Sequence, residues 1–235
     1  MTETHYHRYA VYYAPAMGSD AWQAGSQWLG RCAHDGLLRV QPVVNGMSPL
    51  ALAELTAAPR RYGWHATLKA PFALAAGVNL QQLRERMAQL AGSLSTIPMP
   101  RLQVSHLDDF LALTPVGDTT ALDHIAAACV RELHALVAPL SEAELQRRRK
   151  APLTAAEDAM LVAWGYPYVF GHFRFHMSLT GGLHGRAPQE VQALQTAAQR
   201  HFDGKTPDHM DSLTLFAEPQ PGADFVVLDQ FPLAS

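Results

Sequence analysis

The stretch Trp64-His65-Ala66-Thr67-Leu68 alternates apolar and polar residues with a period of two, which is the period of a β-strand. The same pattern returns in the second half of the chain as Phe175-His176-Met177-Ser178-Leu179. On each strand the histidine and the hydroxyl residue therefore point to one face, and the apolar residues point to the other. Two such strands side by side would form a pocket floor with two imidazoles and two hydroxyl groups.

This set of side chains suits acid–base chemistry at a phosphoryl group without a metal. One histidine can accept a proton while the other donates one, because the ordinary imidazole pKa of about 6.5 lies near the working pH. The hydroxyl groups can hold the phosphoryl oxygens. We therefore predict that the catalytic residues are His65, His176, Thr67 and Ser178. The repeat is symmetric, so either histidine could be the acid.

Further residues lie where they would face the same pocket. Lys69 follows His65 by four residues and Arg174 precedes His176 by two, so both cations are on the motif faces. Either could pair with a phosphate, and a salt bridge at the rim of the cleft is the alternative. The residues predicted to bind substrate are Lys69, Arg174, Thr180, Tyr12 and Tyr168.

Metal binding is the main rival interpretation of the second motif. His172 and His176 are four residues apart, a spacing that would bind zinc on a helix. Strand alternation instead puts His172, Arg174, His176, Ser178 and Thr180 on one face, and no Cys or carboxylate adjoins them. We therefore predict that the site uses no metal and no other cofactor.

The remaining elements follow an order that repeats. A motif strand, a helix and two strands are predicted first over 62–72, 79–94, 101–107 and 110–116, and again over 170–181, 188–202, 211–217 and 224–230. A further strand is predicted at 8–15, with further helices at 20–33, 48–57, 118–137, 141–149 and 154–164. Capping boxes at Ser141 with Glu144 and at Thr154 with Glu157 mark the starts of the helices at 141–149 and 154–164.

Composition favours a soluble cytoplasmic domain. The chain has 235 residues, 48% of them hydrophobic, which is enough for a sizeable core. No apolar run is long enough to span a membrane, and the polar residues 1–8 do not look like a signal peptide. The two isolated cysteines fit a reducing compartment. The oligomeric state is left open.

The charge argues for a small partner. The formal net charge is −3, so the chain offers no general attraction to a polyanion. Its one basic run is Arg147-Arg148-Arg149-Lys150, which we interpret as the solvated end of a helix. We predict that the chain binds a small phosphorylated substrate and does not bind a membrane. RNA is a possible partner that we do not favour.

The duplicated motif resembles the two-histidine (2H) phosphoesterase superfamily, whose signature is two copies of His, apolar, Thr or Ser, apolar. The copies here are His65-Ala66-Thr67-Leu68 and His176-Met177-Ser178-Leu179. Residues 61–72 and 164–169 resemble in particular a branch encoded among phosphonate-catabolism genes. The resemblance covers nearly the whole chain. Its one departure is Ser178, where Thr is commoner, and Ser keeps the hydroxyl.

The resemblance implies an α+β, bilobal 2H-phosphoesterase fold, with two pseudo-symmetric lobes of antiparallel sheet and flanking helices around a central cleft. Residues 1–235 would form one domain with halves of roughly 1–117 and 118–235. The implied activity is metal-independent hydrolysis of a small cyclic phosphodiester, for which a ribose cyclic phosphate of phosphonate catabolism is a chemically sensible substrate. Two alternatives stay open: an RNA 2′,3′-cyclic phosphodiesterase or RNA-end ligase-type enzyme, and a non-catalytic protein that binds a phosphorylated metabolite.

Overall fold

A computed structural model describes residues 6–150 and 152–235, so most of the polar N-terminal stretch lies outside the described residues. Strands occur at β1 (Arg8–Tyr13), β2 (Ala66–Phe72), β3 (Ile97–Pro98), β4 (Leu102–Leu107), β5 (Phe110–Pro115), β6 (Met177–Ser178), β7 (His209–Met210), β8 (Ser212–Glu218) and β9 (Val226–Pro232). Seven of these form one antiparallel sheet in the order β4-β5-β6-β2-β1-β8-β9, and β3 pairs with β7 separately.

Eight α-helices accompany the sheet in the described part of the chain, so the α+β class is confirmed. They are α1 (Asp20–Leu29), α2 (Pro49–Leu55), α3 (Ala57–Tyr62), α4 (Leu80–Ser93), α5 (Thr120–Glu132), α6 (Glu142–Arg148), α7 (Ala155–Trp164) and α8 (Pro188–Phe202). None of the described helices is both long and apolar enough to cross a membrane.

Local capping explains where several helices begin. The predicted capping boxes at Ser141 and Thr154 are both present, and Asn79 forms a third with Gln82 at the start of α4. Helix α1 begins as predicted at Asp20, and its N-cap is Ser19, whose hydroxyl accepts from the backbone N–H of Trp22 at 3.2 Å.

The two motif strands lie side by side at the centre of the sheet, where Ala66 of β2 pairs with Met177 of β6. The β4-β5 hairpin flanks β6, while β1 and then the β8-β9 hairpin flank β2. The predicted order of motif strand, helix and two strands is therefore present twice, as β2-α4-β4-β5 and β6-α8-β8-β9. The sheet is continuous across β2 and β6, so one sheet contains the strands of both repeats.

The second motif strand is much shorter than its alternation predicts. The expected strand was 170–181, but only Met177–Ser178 pairs regularly, and Phe170–His172 forms a 3-10 turn. Beyond β6, the N–H groups of Leu179 and Thr180 both donate to the Leu111 carbonyl, which takes this backbone out of the regular ladder. The helix predicted over 118–137 also stops early, at Glu132, before a 3-10 turn.

The two faces of the sheet have different coverings. One face carries the main core, in which Val11, Leu68 and Met177 pack with residues of the helices. The other face carries a smaller cluster around Tyr12 and Phe216 and opens into a cleft. This division leaves the polar face of both motifs at the cleft.

Close packing fixes the chain just before the first motif. Trp64 is buried and stacks on Phe202 of α8, with 5.1 Å between the ring centroids. Its other neighbour is Gly25 of α1, where an added Cβ would lie only 2.1 Å from the indole ring. Glycine at this position therefore lets the helix approach the indole that anchors His65.

Candidate functional site

The site is built at the boundary between β2 and β6, where Ala66 lies opposite Met177. In an antiparallel ladder the next residues outward on both strands are also opposed, and their Cβ atoms are separated by about 5 Å. Continued by one residue in each direction, this register puts His65 opposite Ser178 and Thr67 opposite His176. Each histidine is adjacent to the hydroxyl group of the other motif.

Each imidazole is held by a backbone carbonyl two residues earlier in the chain. The Nδ1 of His65 lies 2.8 Å from the Gly63 oxygen, and the Nδ1 of His176 lies 2.8 Å from the Arg174 oxygen. A carbonyl only accepts, so Nδ1 carries the hydrogen in both rings and Nε2 is the basic nitrogen. The Nε2 of His65 is 3.2 Å from Oγ1 of Thr67, whose hydroxyl can donate to it.

Burial favours the neutral form of both histidines. Burial lowers the pKa of His65 to about 4, the Gly63 carbonyl opposes this change, and the nearby His176 ring adds to it. Burial also lowers the pKa of His176, against the opposing effect of the Arg174 carbonyl. Tyr12 stacks on the His65 ring at a centroid distance of 3.8 Å, which shields one face of the imidazole from water. A bound anion would raise both pKa values.

The motif side chains line a cleft made of two adjoining cavities with volumes of about 530 and 320 Å³. His65 and Ser178 line the larger cavity, His176 lines the smaller one, and Thr67 lines both. Both volumes lie within the range of small-molecule sites. The cleft can therefore accommodate a metabolite in contact with the two motifs.

Four of the five residues predicted to bind substrate line this cleft. Tyr12 and Thr180 line the larger cavity, and Arg174 and Tyr168 line the smaller one. The hydroxyl oxygen of Thr180 already accepts from the Leu111 N–H at 3.0 Å, so this side chain also joins two segments of the sheet. The roles of these residues in binding stay predictions.

Lys69 does not face the cleft, which corrects its predicted position. The pairing of β1 with β2 passes from Tyr12 with Thr67 to Val11 with Lys69, so β2 contains one extra residue. This β-bulge turns Lys69 to the opposite face of the sheet. Its ammonium group donates to the Val130 carbonyl of α5 at 3.3 Å, and burial lowers its pKa to about 8.

The segment before His176 contributes charged and aromatic groups to the smaller cavity. His172 lies there from the 3-10 turn rather than from the predicted strand. Arg174 is mostly exposed and donates to Asp108 at 2.8 Å, as the salt-bridge alternative expected. Within residues 6–150 and 152–235, no group of three or more His, Cys, Asp or Glu side chains is arranged to hold a metal ion.

The larger cavity is also lined by three arginines that were not predicted to lie there: Arg8, Arg147 and Arg148. Strand alternation could have indicated Arg8, because it precedes Tyr12 by four residues on β1. Arg147 and Arg148 belong to the basic run that we interpreted as a solvated helix end. The run does lie at the end of α6, and Arg147, Arg149 and Lys150 are exposed, so the structure corrects that interpretation only for Arg148. Arg148 is half-buried, with its guanidinium 5.8 Å from the centroid of the Tyr166 ring.

Comparison with known proteins identifies similar chains. A family model described as "Protein of unknown function (DUF1045)" matches residues 67–226. Two curated relatives are named ribose 1,5-bisphosphate phosphokinase PhnN. The one from Janthinobacterium sp. (strain Marseille) is 39% identical over 230 residues, and the one from Laribacter hongkongensis (strain HLHK9) is 40% identical over 218 residues. These alignments cover 97% and 93% of this chain but only 51% and 50% of the relatives.

The names of the relatives contradict the activity predicted from the sequence. A phosphokinase transfers a phosphoryl group to its substrate, whereas the predicted enzyme hydrolyses a phosphodiester with water. The prediction of a metal-independent cyclic phosphodiesterase is therefore wrong in its enzyme class. The family match and the PhnN names do support the predicted branch of proteins encoded among phosphonate-catabolism genes. The chain spans about half the length of the curated relatives it matches.

Proposed function

The chain belongs to the DUF1045 family of proteins of unknown function, and from this premise we propose that its cleft binds a phosphorylated ribose. One phosphoryl group lies between the motifs, in contact with the imidazoles and hydroxyl groups of His65, His176, Thr67 and Ser178. The histidines exchange a proton with the bound phosphoryl group, and the hydroxyl groups donate hydrogen bonds to its oxygens.

The reciprocal arrangement of the two motifs carries this proposal. The Nδ1–H groups of His65 and His176 are already used by the carbonyls of Gly63 and Arg174. Among the described residues, the Nε2 of His176 and the Ser178 hydroxyl are therefore left for a ligand, and the Nε2 of His65 and the Thr67 hydroxyl would exchange their mutual hydrogen bond for contacts with it. These polar groups converge from two strands, as the oxygens of a tetrahedral phosphoryl group require, and a purely apolar ligand would leave them unpaired.

We propose ribose as the sugar because of the names of the relatives. Both are named for ribose 1,5-bisphosphate, and this chain matches about half of each. A kinase also needs a site for the phosphate donor, and many kinases bind it with a Gly-x-x-x-x-Gly-Lys-Ser/Thr loop. In this sequence Gly204-Lys205-Thr206 matches only the end of that motif, because residue 199 is Gln. We therefore propose a site for the sugar phosphate alone.

We also propose that the chain is distantly related to the 2H superfamily in fold and in its histidine motifs, without carrying over the hydrolytic activity. The repeated order β2-α4-β4-β5 and β6-α8-β8-β9 supports this relation, as does the pairing of the two motif strands at the sheet centre. On this view residues 1–117 and 118–235 are duplicated halves that each supply one histidine and one hydroxyl group.

Replacing His176 with alanine is expected to weaken the binding of ribose 5-phosphate by about 10- to 100-fold. The reason is that a hydrogen bond to a charged group contributes about 1.5–3 kcal/mol. Isothermal titration calorimetry with ribose 5-phosphate, and with ribose as the ligand without phosphate, measures the effect.

The matched control is His124→Ala, because His124 is an exposed histidine on α5. This variant should bind ribose 5-phosphate as the wild type does. The proposal fails if the wild type does not bind ribose 5-phosphate more tightly than ribose. It also fails if both histidine variants bind alike.

Binding of ribose 5-phosphate is expected to take up about one proton. Its affinity should fall by up to about tenfold per pH unit from pH 7 to 9. The free phosphate monoester is a dianion above its second pKa of about 6. Both free histidines are neutral in this range, because burial lowers the pKa of His65 to about 4 and also lowers that of His176. A neutral Nε2 and a phosphate oxygen are both acceptors, so the complex needs an added proton between them.

Calorimetry in two buffers with different ionisation enthalpies measures this proton directly. The sign follows from linkage: a ligand that raises a histidine pKa binds more tightly as the pH falls. Arginines keep their charge throughout this range, so binding through arginine alone would show no such dependence. An affinity that is constant from pH 7 to 9, with no proton uptake, would show that the histidines do not contact the phosphoryl group.

A further inference from the structure

Arg8 reaches the larger cavity from β1 with only part of its guanidinium occupied. Its Nε donates to Glu218 at 2.5 Å, and the same carboxylate also accepts from Arg61 and from the Gly222 N–H. In the part of the chain that the structure describes, the terminal nitrogens of Arg8 make no hydrogen bond. Glu218 therefore orients Arg8 through Nε and leaves its two terminal NH₂ groups for a ligand.

Helix α6 brings two more guanidinium groups to the same cavity. Arg147 makes one long contact of 3.9 Å with Glu144, and Arg148 has no carboxylate within 4.0 Å among the described residues. The Nε of Arg148 is buried and has no hydrogen-bond partner within those residues. An unpaired buried donor costs roughly 1–3 kcal/mol, so an anion in the cavity would stabilise Arg148 where it lies.

The arginines leave this part of the cleft with a surplus of positive charge. Four guanidinium groups lie near two carboxylates, so two positive charges are uncompensated. The guanidinium groups are those of Arg8, Arg61, Arg147 and Arg148, and the carboxylates are those of Glu144 and Glu218. A phosphoryl dianion carries close to this charge.

We propose that Arg8, Arg147 and Arg148 form a second phosphoryl subsite, so that the cleft takes a sugar carrying two phosphoryl groups. This inference rests on the proposed function, which places the first phosphoryl group at the histidines. Arg8 and Tyr12 are four residues apart on β1, which is about 13 Å along a strand, and Tyr12 stacks on His65. Arg8, Arg148 and His65 all line the cavity of about 530 Å³, so one ligand in this cavity can contact both subsites.

The test compares ribose 1,5-bisphosphate with ribose 5-phosphate by calorimetry in the wild type and in Arg148→Met. Methionine keeps an unbranched apolar stem beside Tyr166 but removes the charge and the donors. The wild type should bind the bisphosphate about 10- to 100-fold more tightly than the monophosphate, as expected for charge-assisted hydrogen bonds at a second phosphoryl group. Arg148→Met should lose most of this preference and keep its affinity for the monophosphate.

Arg149→Met is the matched control, because Arg149 is the next residue and pairs with Asp158 instead. It should keep the full preference for the bisphosphate. Arg148→Lys keeps the charge without the planar fork and should retain part of the preference, which separates a subsite effect from misfolding. The inference is overturned if the wild type binds both sugars equally, or if Arg148→Met weakens both equally. Binding of neither sugar by the folded wild type would instead overturn the proposed function.

Discussion

Replacing Glu218 with alanine is expected to lower the free energy of unfolding by about 3–5 kcal/mol, the cost of breaking a buried ion pair. The Glu218 carboxylate is fully buried and accepts hydrogen bonds from Arg8, from Arg61 and from the Gly222 N–H at 2.9 Å. Removing it leaves two neighbouring guanidinium groups and one N–H without their acceptor. Denaturant unfolding of the wild type and the variant at pH 7 measures the loss.

Glu132→Ala is the matched control, because Glu132 forms an exposed ion pair with Arg86. Exposed pairs contribute about 0–1 kcal/mol, so this variant should unfold almost as the wild type does. A loss at Glu218 no larger than the loss at Glu132 would show that the buried carboxylate does not hold the end of β8 in place.

The Glu218 variant also has an expected pH dependence. Burial alone would raise the pKa of Glu218, but the hydrogen bonds from Arg8 and Gly222 outweigh it and lower the pKa below its ordinary 4.5. A lowered folded-state pKa gives stability that is present above the unfolded-state value and is lost as the pH falls through the folded-state value. The difference between wild type and Glu218→Ala should therefore shrink below about pH 4. A difference that is constant down to pH 2 would contradict the ion pairing.

The sequence predicts the centre of the site because that information is local. Alternation alone decides that His65 and Thr67 lie on one face of their strand, and that His176 and Ser178 likewise lie on one face of theirs. The helix starts marked by Ser141 and Thr154 are equally local, since a capping box lies within four residues. Neighbouring positions alone therefore predict that each histidine lies beside the hydroxyl residue of its own motif.

The positions that the sequence misplaced depend on packing between distant segments. Lys69 leaves the cleft because of a bulge, which is decided by the register of β2 against β1, more than 50 residues away. Arg148 enters the cleft because α6 packs near Tyr166, and a solvated helix end has the same local sequence. Neither outcome could be predicted from alternation or from the basic run alone.

The enzyme class cannot be predicted from the local sequence of the motifs. Two histidines and two hydroxyl groups can move protons at a phosphoryl group whether the acceptor is water or a sugar hydroxyl. The motif therefore predicts contact with a phosphoryl group better than it predicts the reaction. The charge of the larger cavity adds what the motif lacks, because the proposed subsite at Arg8 and Arg148 would distinguish a bisphosphate from a monophosphate.

Replacing Gly63 with alanine is expected to lower the free energy of unfolding by about 4 kcal/mol, from backbone strain and overpacking together. Gly63 has φ of 83° and ψ of 179°, a backbone conformation that is almost confined to glycine. An added Cβ would also lie 2.5 Å from the Cβ of Ala33, which has no flexible side chain to move aside. The same change should weaken binding of ribose 5-phosphate, because the Gly63 carbonyl holds the Nδ1–H of His65.

Gly77→Ala separates the two causes, because Gly77 has a similar φ of 80° but open space around its Cα. It should lose only about 1 kcal/mol, from the positive φ, and should bind ribose 5-phosphate normally. Calorimetric titration of folded Gly63→Ala below its unfolding temperature then tests the link to function. If His65 is displaced, the protein loses affinity for ribose 5-phosphate and its proton uptake falls. Equal stability of the two alanine variants would contradict the packing argument, and normal proton uptake by Gly63→Ala would show that this carbonyl does not position the imidazole.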